Sequence, residues 1–178
     1  MLPSGKFTSS VFSKLKKPQD YSPEDFAKFL ENYKPKEIKL SVVKSTINTE
    51  TIDLEISIAD FHLAKKTLEG ENIQTKKEQF LHVLVDLLSK AKASFDIRTI
   101  VFPISNDFFH TDNYQNQTTN GTPQDVLTGY DNEYEEGFDL LVTAISILKA
   151  YSDNVEVILV QGNHDRTKSF YLAHALDV

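Results

Sequence analysis

The stretch Val155–Asp165, V-E-V-I-L-V-Q-G-N-H-D, decides the fold. An apolar strand breaks at Gly162 and presents an amide, an imidazole and a carboxylate, Asn163, His164 and Asp165, at the point where it ends. On its own the cluster reads equally as a polar turn. Two further stretches repeat the arrangement, however. Ile52, Leu54, Ile56 and Ile58 alternate with Asp53, Glu55, Ser57 and Ala59, the period of a strand with one buried face, and run into Asp60-Phe61-His62. The β-branched, apolar run Ile97–Ile104 leads into Asn106-Asp107-Phe108-Phe109-His110. Three strands therefore end in Asp, His and Asn groups, and in open α/β sheets ligands collect outside the carboxyl ends of the strands.

The connections supply the rest of an α/β architecture. Thr75-Lys76-Lys77-Glu78 has the form of a capping box, and Phe80, Leu81, Leu84, Leu87, Leu88 and Ala91 follow at helical spacing. The pattern over Glu133–Tyr151 is a second amphipathic helix, with Phe138, Leu141, Val142, Ile145 and Leu148 on one face. Each helix joins one strand to the next, giving two βαβ units with ligand loops at the strand C-terminal ends. A further helix is expected from about Thr167. Between the second strand and its helix, Thr111–Tyr130 is rich in Asn, Gln, Thr, Gly and Asp, which suits either a substrate-facing loop or disorder.

Residues 1–50 read as a lysine-rich lead-in, a helix opened by Ser22-Pro23-Glu24-Asp25 and a strand over Ile38–Ile47; residues 51–178 form the domain that carries the strand-end motifs. The front segment holds nine lysines against six acids, a net +3, and residues 51–178 hold ten basic against twenty acidic residues, a net −10. So acidic a half is a poor bare surface for nucleic acid unless bound cations reverse its local sign. The chain has no cysteine, so disulfides and thiolate metal sites are excluded, and a metal must be held by oxygen and imidazole. No apolar run reaches the roughly 20 residues that span a bilayer, and the first residues lack an apolar signal core, so no membrane and a cytoplasmic location are the expectation.

D-x-H at Asp60–His62, N-D-x-x-H at Asn106–His110 and G-N-H-D at Gly162–Asp165, in that order, resemble the three leading motifs of the calcineurin-like metallophosphoesterases. The first and third match at their defining positions; the second has Asn106 where the family has glycine, and its Phe-His ending is similar to that of the nuclease members. The resemblance implies the N-terminal half of a metallophosphoesterase-type αββα sandwich and a dinuclear site for divalent ions (Mn, Fe, Zn or Mg). It assigns Asp60, His62, Asp107 and Asn163 as metal ligands, with Asp107 bridging. It assigns His164 and His110 as the histidines beside the phosphate, and Asp165 as the residue that orients His164; apart from the resemblance, Asp165 reads as the N-cap of the helix behind it, and the two roles are compatible. Asp112 stands as a substitute carboxylate two positions out of register. The substrate implied is a phosphate ester, a phosphodiester such as nucleic acid by the second motif.

The family completes its site with a downstream histidine and a G-H-x-H motif that this sequence lacks. The resemblance therefore covers about residues 51–178 as a partial domain, with weak or partial metal binding, little turnover, and self-association through a sheet face as expectations. The alternative is a non-catalytic binding or assembly module on a degenerate scaffold. His82 and His174 lie in helical patterns and read as surface or packing residues. Asp131, Glu133, Glu135 and Glu136 read as acids favouring a helix N-terminus.

Overall fold

The computed structural model describes residues 50–67 and 71–176, so the expected helix after Ser22 and the strand over Ile38–Ile47 lie outside the described residues. Three strands, β1 (Thr51–Glu55), β2 (Asp96–Ile104) and β3 (Asn154–Leu159), form one parallel sheet in the order β1-β2-β3. Helix α1 (Ile73–Ser94) joins β1 to β2, α2 (Tyr130–Tyr151) joins β2 to β3, and α3 (Arg166–Leu176) follows β3. Two parallel crossovers that step the same way along a sheet put their helices side by side on one face. Accordingly α1 and α2 touch: Lys77 of α1 reaches Glu136 at 2.6 Å and Asp139 at 2.8 Å on α2. Among the described residues no helix is long and apolar enough to cross a membrane.

The core fills the space between sheet and helices. Ile56, Ile100, Phe102 and Ile104 from the strand segments meet Phe80, Leu84 and Leu88 of α1 and Phe138, Leu141 and Leu148 of α2, all buried. A β-bulge keeps β2 in phase with this core. Ile52 pairs with Ile97 but Asp53 pairs with Thr99, leaving Arg98 as an extra residue. One added residue reverses the alternation of a strand, so Ile97 and Ile100 both face inward although three positions apart. Arg98 itself points to solvent and forks onto Asp53, and its carbonyl accepts from the Ser152 hydroxyl at 2.7 Å.

Local chemistry sets the helix ends. α1 begins two residues before the expected box: Asn72 is the cap, accepting from the amides of Gln74 and Thr75, while the Thr75 side chain accepts from the Asn72 amide. Thr75 is therefore the last residue of the box rather than its first. α2 begins at Tyr130, three residues before the apolar pattern becomes clear, and Gly137 lets it press on the second motif. A Cβ there would lie 2.3 Å from the Phe109 ring.

The stretch between β2 and α2 is a tied-down loop rather than a disordered one. Antiparallel bridges join Gln117 to Pro123 and Lys65 to Val126. The Leu127 amide donates to Ala64 O at 2.8 Å and the Thr119 amide to Asn163 O at 3.3 Å. This loop thus fastens the first motif to the third.

Candidate metal centre

The ends of β1 and β2 are laced together by backbone hydrogen bonds. Asp60, His62 and Leu63 donate in turn to the carbonyls of Asn106, Asp107 and Phe108, at 3.1, 2.9 and 2.9 Å. To bend there, the chain enters the left-handed region at Asp60 (φ 56°), His62 (φ 49°) and Asp107 (φ 56°). Non-glycine residues seldom adopt it, and three of the four that do so among the described residues are expected ligands. Such conformations cost of order 1 kcal/mol each and persist where the surrounding structure over-determines them.

The bends bring the side chains together. Potential ligand atoms of Asp60, His62 and Asp107 all lie within 4.8 Å of one another, and so do those of His62, His110 and His164. His62 belongs to both groups: its Nε2 stands 3.2 Å from Asp60 Oδ1 and its Nδ1 3.2 Å from His110 Nδ1. The His110 and His164 rings stack at 5.4 Å, 17° from parallel. Either group could hold a metal ion, and their oxygen and imidazole donors suit a divalent cation. Burial, followed by the neighbouring His62 and His164, lowers the pKa of His110 to about 4. Burial also lowers that of His62, ahead of the opposing pull of Asp60 and Asp107. Both rings are therefore neutral near pH 7, the form that binds a metal.

The third motif is locked against the second. The His164 amide donates to Asp107 Oδ1 at 2.7 Å, and Gly162 lies so close that a Cβ would fall 2.1 Å from the same oxygen. Asn163, between them, is exposed and is held at its carbonyl by the Thr119 amide at 3.3 Å. The His164 Nδ1 stands 3.0 Å from the carbonyl oxygen of His110. That bond, rather than Asp165, orients the ring.

Asp165 is fully buried and accepts from the Phe109 amide at 2.9 Å. Burial raises its pKa to about 6, against the downward pull of that amide and of the Ser169 hydroxyl. Nor does it cap α3. Asp112 does so, accepting from the amides of Thr167 at 2.7 Å and Lys168 at 2.9 Å, with the hydroxyls of Thr119 and Thr167 on its other oxygen. The expected substitute ligand is therefore a helix cap, and α3 starts at Arg166.

Behind the histidines lies a network that the sequence reading missed. Glu133, expected as a helix-end acid, is fully buried; Oε1 accepts from the His110 amide at 2.6 Å and Oε2 from the Thr111 hydroxyl at 2.8 Å. Its ion partner is Lys168 of α3, equally buried, whose ammonium also stands 4.3 Å from the Tyr130 ring centre. Glu135 too is buried, with neither carboxylate oxygen partnered, whereas Glu136 pairs with Lys77.

The histidines form part of the lining of a cleft of about 460 Å³, completed by Lys65 and Lys66 after β1 and by Pro123, Gln124 and Asp125 of the tied-down loop. His82 and His174 are exposed, away from this lining. Comparison with family models, curated protein sequences and solved structures finds no match to this chain.

Proposed function

We propose that the cleft is the centre of a metal-dependent phosphoesterase, on a partial scaffold of the metallophosphoesterase αββα type, with a phosphodiester as substrate and with the weak metal binding and low turnover expected of a site that lacks the downstream histidines. The observation that carries this reading is the convergence of Asp60, His62 and Asp107 at the ends of two adjacent parallel strands, with His110 and His164 stacked beside them.

Asp60, His62 and Asp107 would hold one divalent ion, and Asp107 with Asn163 a second, since two cations need a shared anionic ligand. When bound, the ions supply an acidified water and offset charge on the attacking and leaving oxygens. The remaining work falls to the chain's own groups. With its Nδ1–H donated to the His110 carbonyl, a neutral His164 carries its lone pair on Nε2; protonated, it offers a second N–H to a phosphate oxygen. His62 and His110 share one hydrogen bond through their Nδ1 atoms, which fixes both rings. Lys65 and Lys66 bring positive charge to a cleft that must receive an anion.

The test is hydrolysis of bis(4-nitrophenyl) phosphate with added Mn²⁺, together with calorimetric titration of the metal. Asp107→Asn is expected to lower both metal affinity and rate by on the order of 100-fold, because loss of even an outer-shell partner costs 10–100-fold. Turnover that survives EDTA, or an Asp107→Asn variant with wild-type rate and affinity, defeats the proposal.

A further inference from the structure

Three imidazoles stand together in the cleft, and their spacing is that of ligands around one small ion. Nitrogens bound at about 2.0–2.1 Å to a tetrahedral ion lie about 3.3 Å apart, which puts the ring centres about 5 Å apart. The Nδ1 atoms of His62 and His110 are 3.2 Å apart. The ring centres are 4.5 Å apart for His62 and His164, 5.0 Å for His62 and His110, and 5.4 Å for His110 and His164. An ion among them would take the place of the proton that His62 and His110 share, with His110 then carrying its proton on Nε2. All three rings line the cleft, so the fourth position of the ion would open to it.

Neighbouring acceptors prepare two of the rings. Metal-bound imidazoles almost always give their other N–H to a carboxylate or a carbonyl, which fixes the tautomer and the setting of the ring. His164 Nδ1 has the His110 carbonyl at 3.0 Å and His62 Nε2 has Asp60 Oδ1 at 3.2 Å, so the lone pairs fall on His164 Nε2 and His62 Nδ1. In this arrangement Asp60 stands behind a ligand rather than serving as one. Three neutral nitrogens suit zinc: manganese and magnesium favour oxygen, and copper(II) favours a tetragonal over a tetrahedral setting. His62 cannot serve this ion and the carboxylate-bound one together, because a neutral imidazole offers a lone pair on only one of its nitrogens.

We propose that His62, His110 and His164 form a separate mononuclear zinc site, and that zinc held there withdraws all three histidines from the hydrolytic centre. The family resemblance divides these residues between a metal and the phosphate, whereas their spacing groups them around one ion. Inhibition by zinc rests on the hydrolase reading; occupation of the site does not.

The experiment is titration of the metal-free full chain with Co²⁺, whose visible absorption is intense in a tetrahedral site and faint in an octahedral one. One Co²⁺ per chain should give the intense band, and Zn²⁺ should abolish it by displacement. His164→Gln, at the least buried of the three rings, should weaken Zn²⁺ binding by on the order of 100-fold, since loss of an outer-shell partner alone costs about 10–100-fold. Asp60→Asn, behind its ligand, should weaken it about 10-fold. Asp107→Asn keeps an oxygen for the His164 amide and should leave Zn²⁺ affinity within about 3-fold of wild type. The exposed His82, changed to Gln, is the control for histidine content and should bind as wild type does. In Mn²⁺-supported hydrolysis of bis(4-nitrophenyl) phosphate, one equivalent of Zn²⁺ should suppress turnover. A chain that gives no tetrahedral Co²⁺ band overturns the proposal, as does a band that survives His164→Gln and disappears with Asp107→Asn, because the ion then sits with the carboxylates. So does zinc that fills the site without slowing Mn²⁺-supported turnover. Should no ion support hydrolysis, a Co²⁺ band that His164→Gln removes still upholds the zinc site, and the hydrolase reading alone fails.

Discussion

Replacing Gly162 with alanine tests how the third motif is locked against the second. An added Cβ would lie 2.1 Å from Asp107 Oδ1, 2.7 Å from its Cγ and 2.4 Å from its backbone nitrogen. The carboxylate can rotate away, but the nitrogen belongs to the backbone that laces β1 to β2. Ordinary contact distance therefore requires the two turns to separate by about 1 Å. Overpacking of this kind costs about 1–3 kcal/mol, offset by about 0.4–1 kcal/mol because alanine restricts the unfolded chain. A net loss of about 1–2 kcal/mol lowers Tm by roughly 2–8 °C in a domain of this size. The effect on function should be larger, since about 1 Å of misplacement at a reacting centre costs on the order of 100-fold. Thermal melts and calorimetric Mn²⁺ titration read the two effects. Gly121→Ala is the control: its φ of +85° strains any side chain, but the space around it is open, so stability should fall with metal affinity unchanged. Wild-type Tm and affinity in Gly162→Ala would refute the reasoning, as would an equal loss of affinity in the control.

Two further outcomes follow from buried carboxylates. Burial, with Glu136, Asp131 and Asp139 adding to it, raises the pKa of Glu135 from 4.5 to about 7. The folded state thus holds the proton more tightly than the unfolded one, and this residue's contribution to stability falls as pH rises from 4.5 to 7. Denaturant titrations at pH 5 and pH 8 should show Glu135→Gln about 1–3 kcal/mol more stable than wild type at the higher pH only; parallel pH profiles would exclude this role. Asp112→Ala removes the cap of α3 and should cost about 0.5–2 kcal/mol, concentrated in faster hydrogen exchange of the Thr167 and Lys168 amides. Exchange accelerated equally across the sheet would point to general unfolding instead.

The strands and the two long helices were legible because each announces itself locally, by period-two or helical spacing over a short window. Asp60, His62, Asp107 and His164 were legible for a related reason: a parallel sheet aligns its strand ends, so residues just past each end must become neighbours. What stayed hidden depends on partners far apart in the chain. Glu133 looks like any acid in the first turn of a helix, and nothing near it reveals a lysine on α3 as its counter-ion. Asp112 caps a helix more than fifty residues onward, a service that its own neighbourhood does not record. The bulge at Arg98 was likewise invisible, since a bulge is defined by the pairing with β1, which the run Ile97–Ile104 does not record on its own.

The left-handed bends at Asp60, His62 and Asp107 make this centre a place where stability and chemistry pull apart. Glycine at any of the three would relax the backbone and remove the donor in the same step. A library selected only for heat resistance would therefore drift toward glycine at these positions, while one selected for turnover would hold them. Sequencing both populations would outline the centre without a substrate ever being identified.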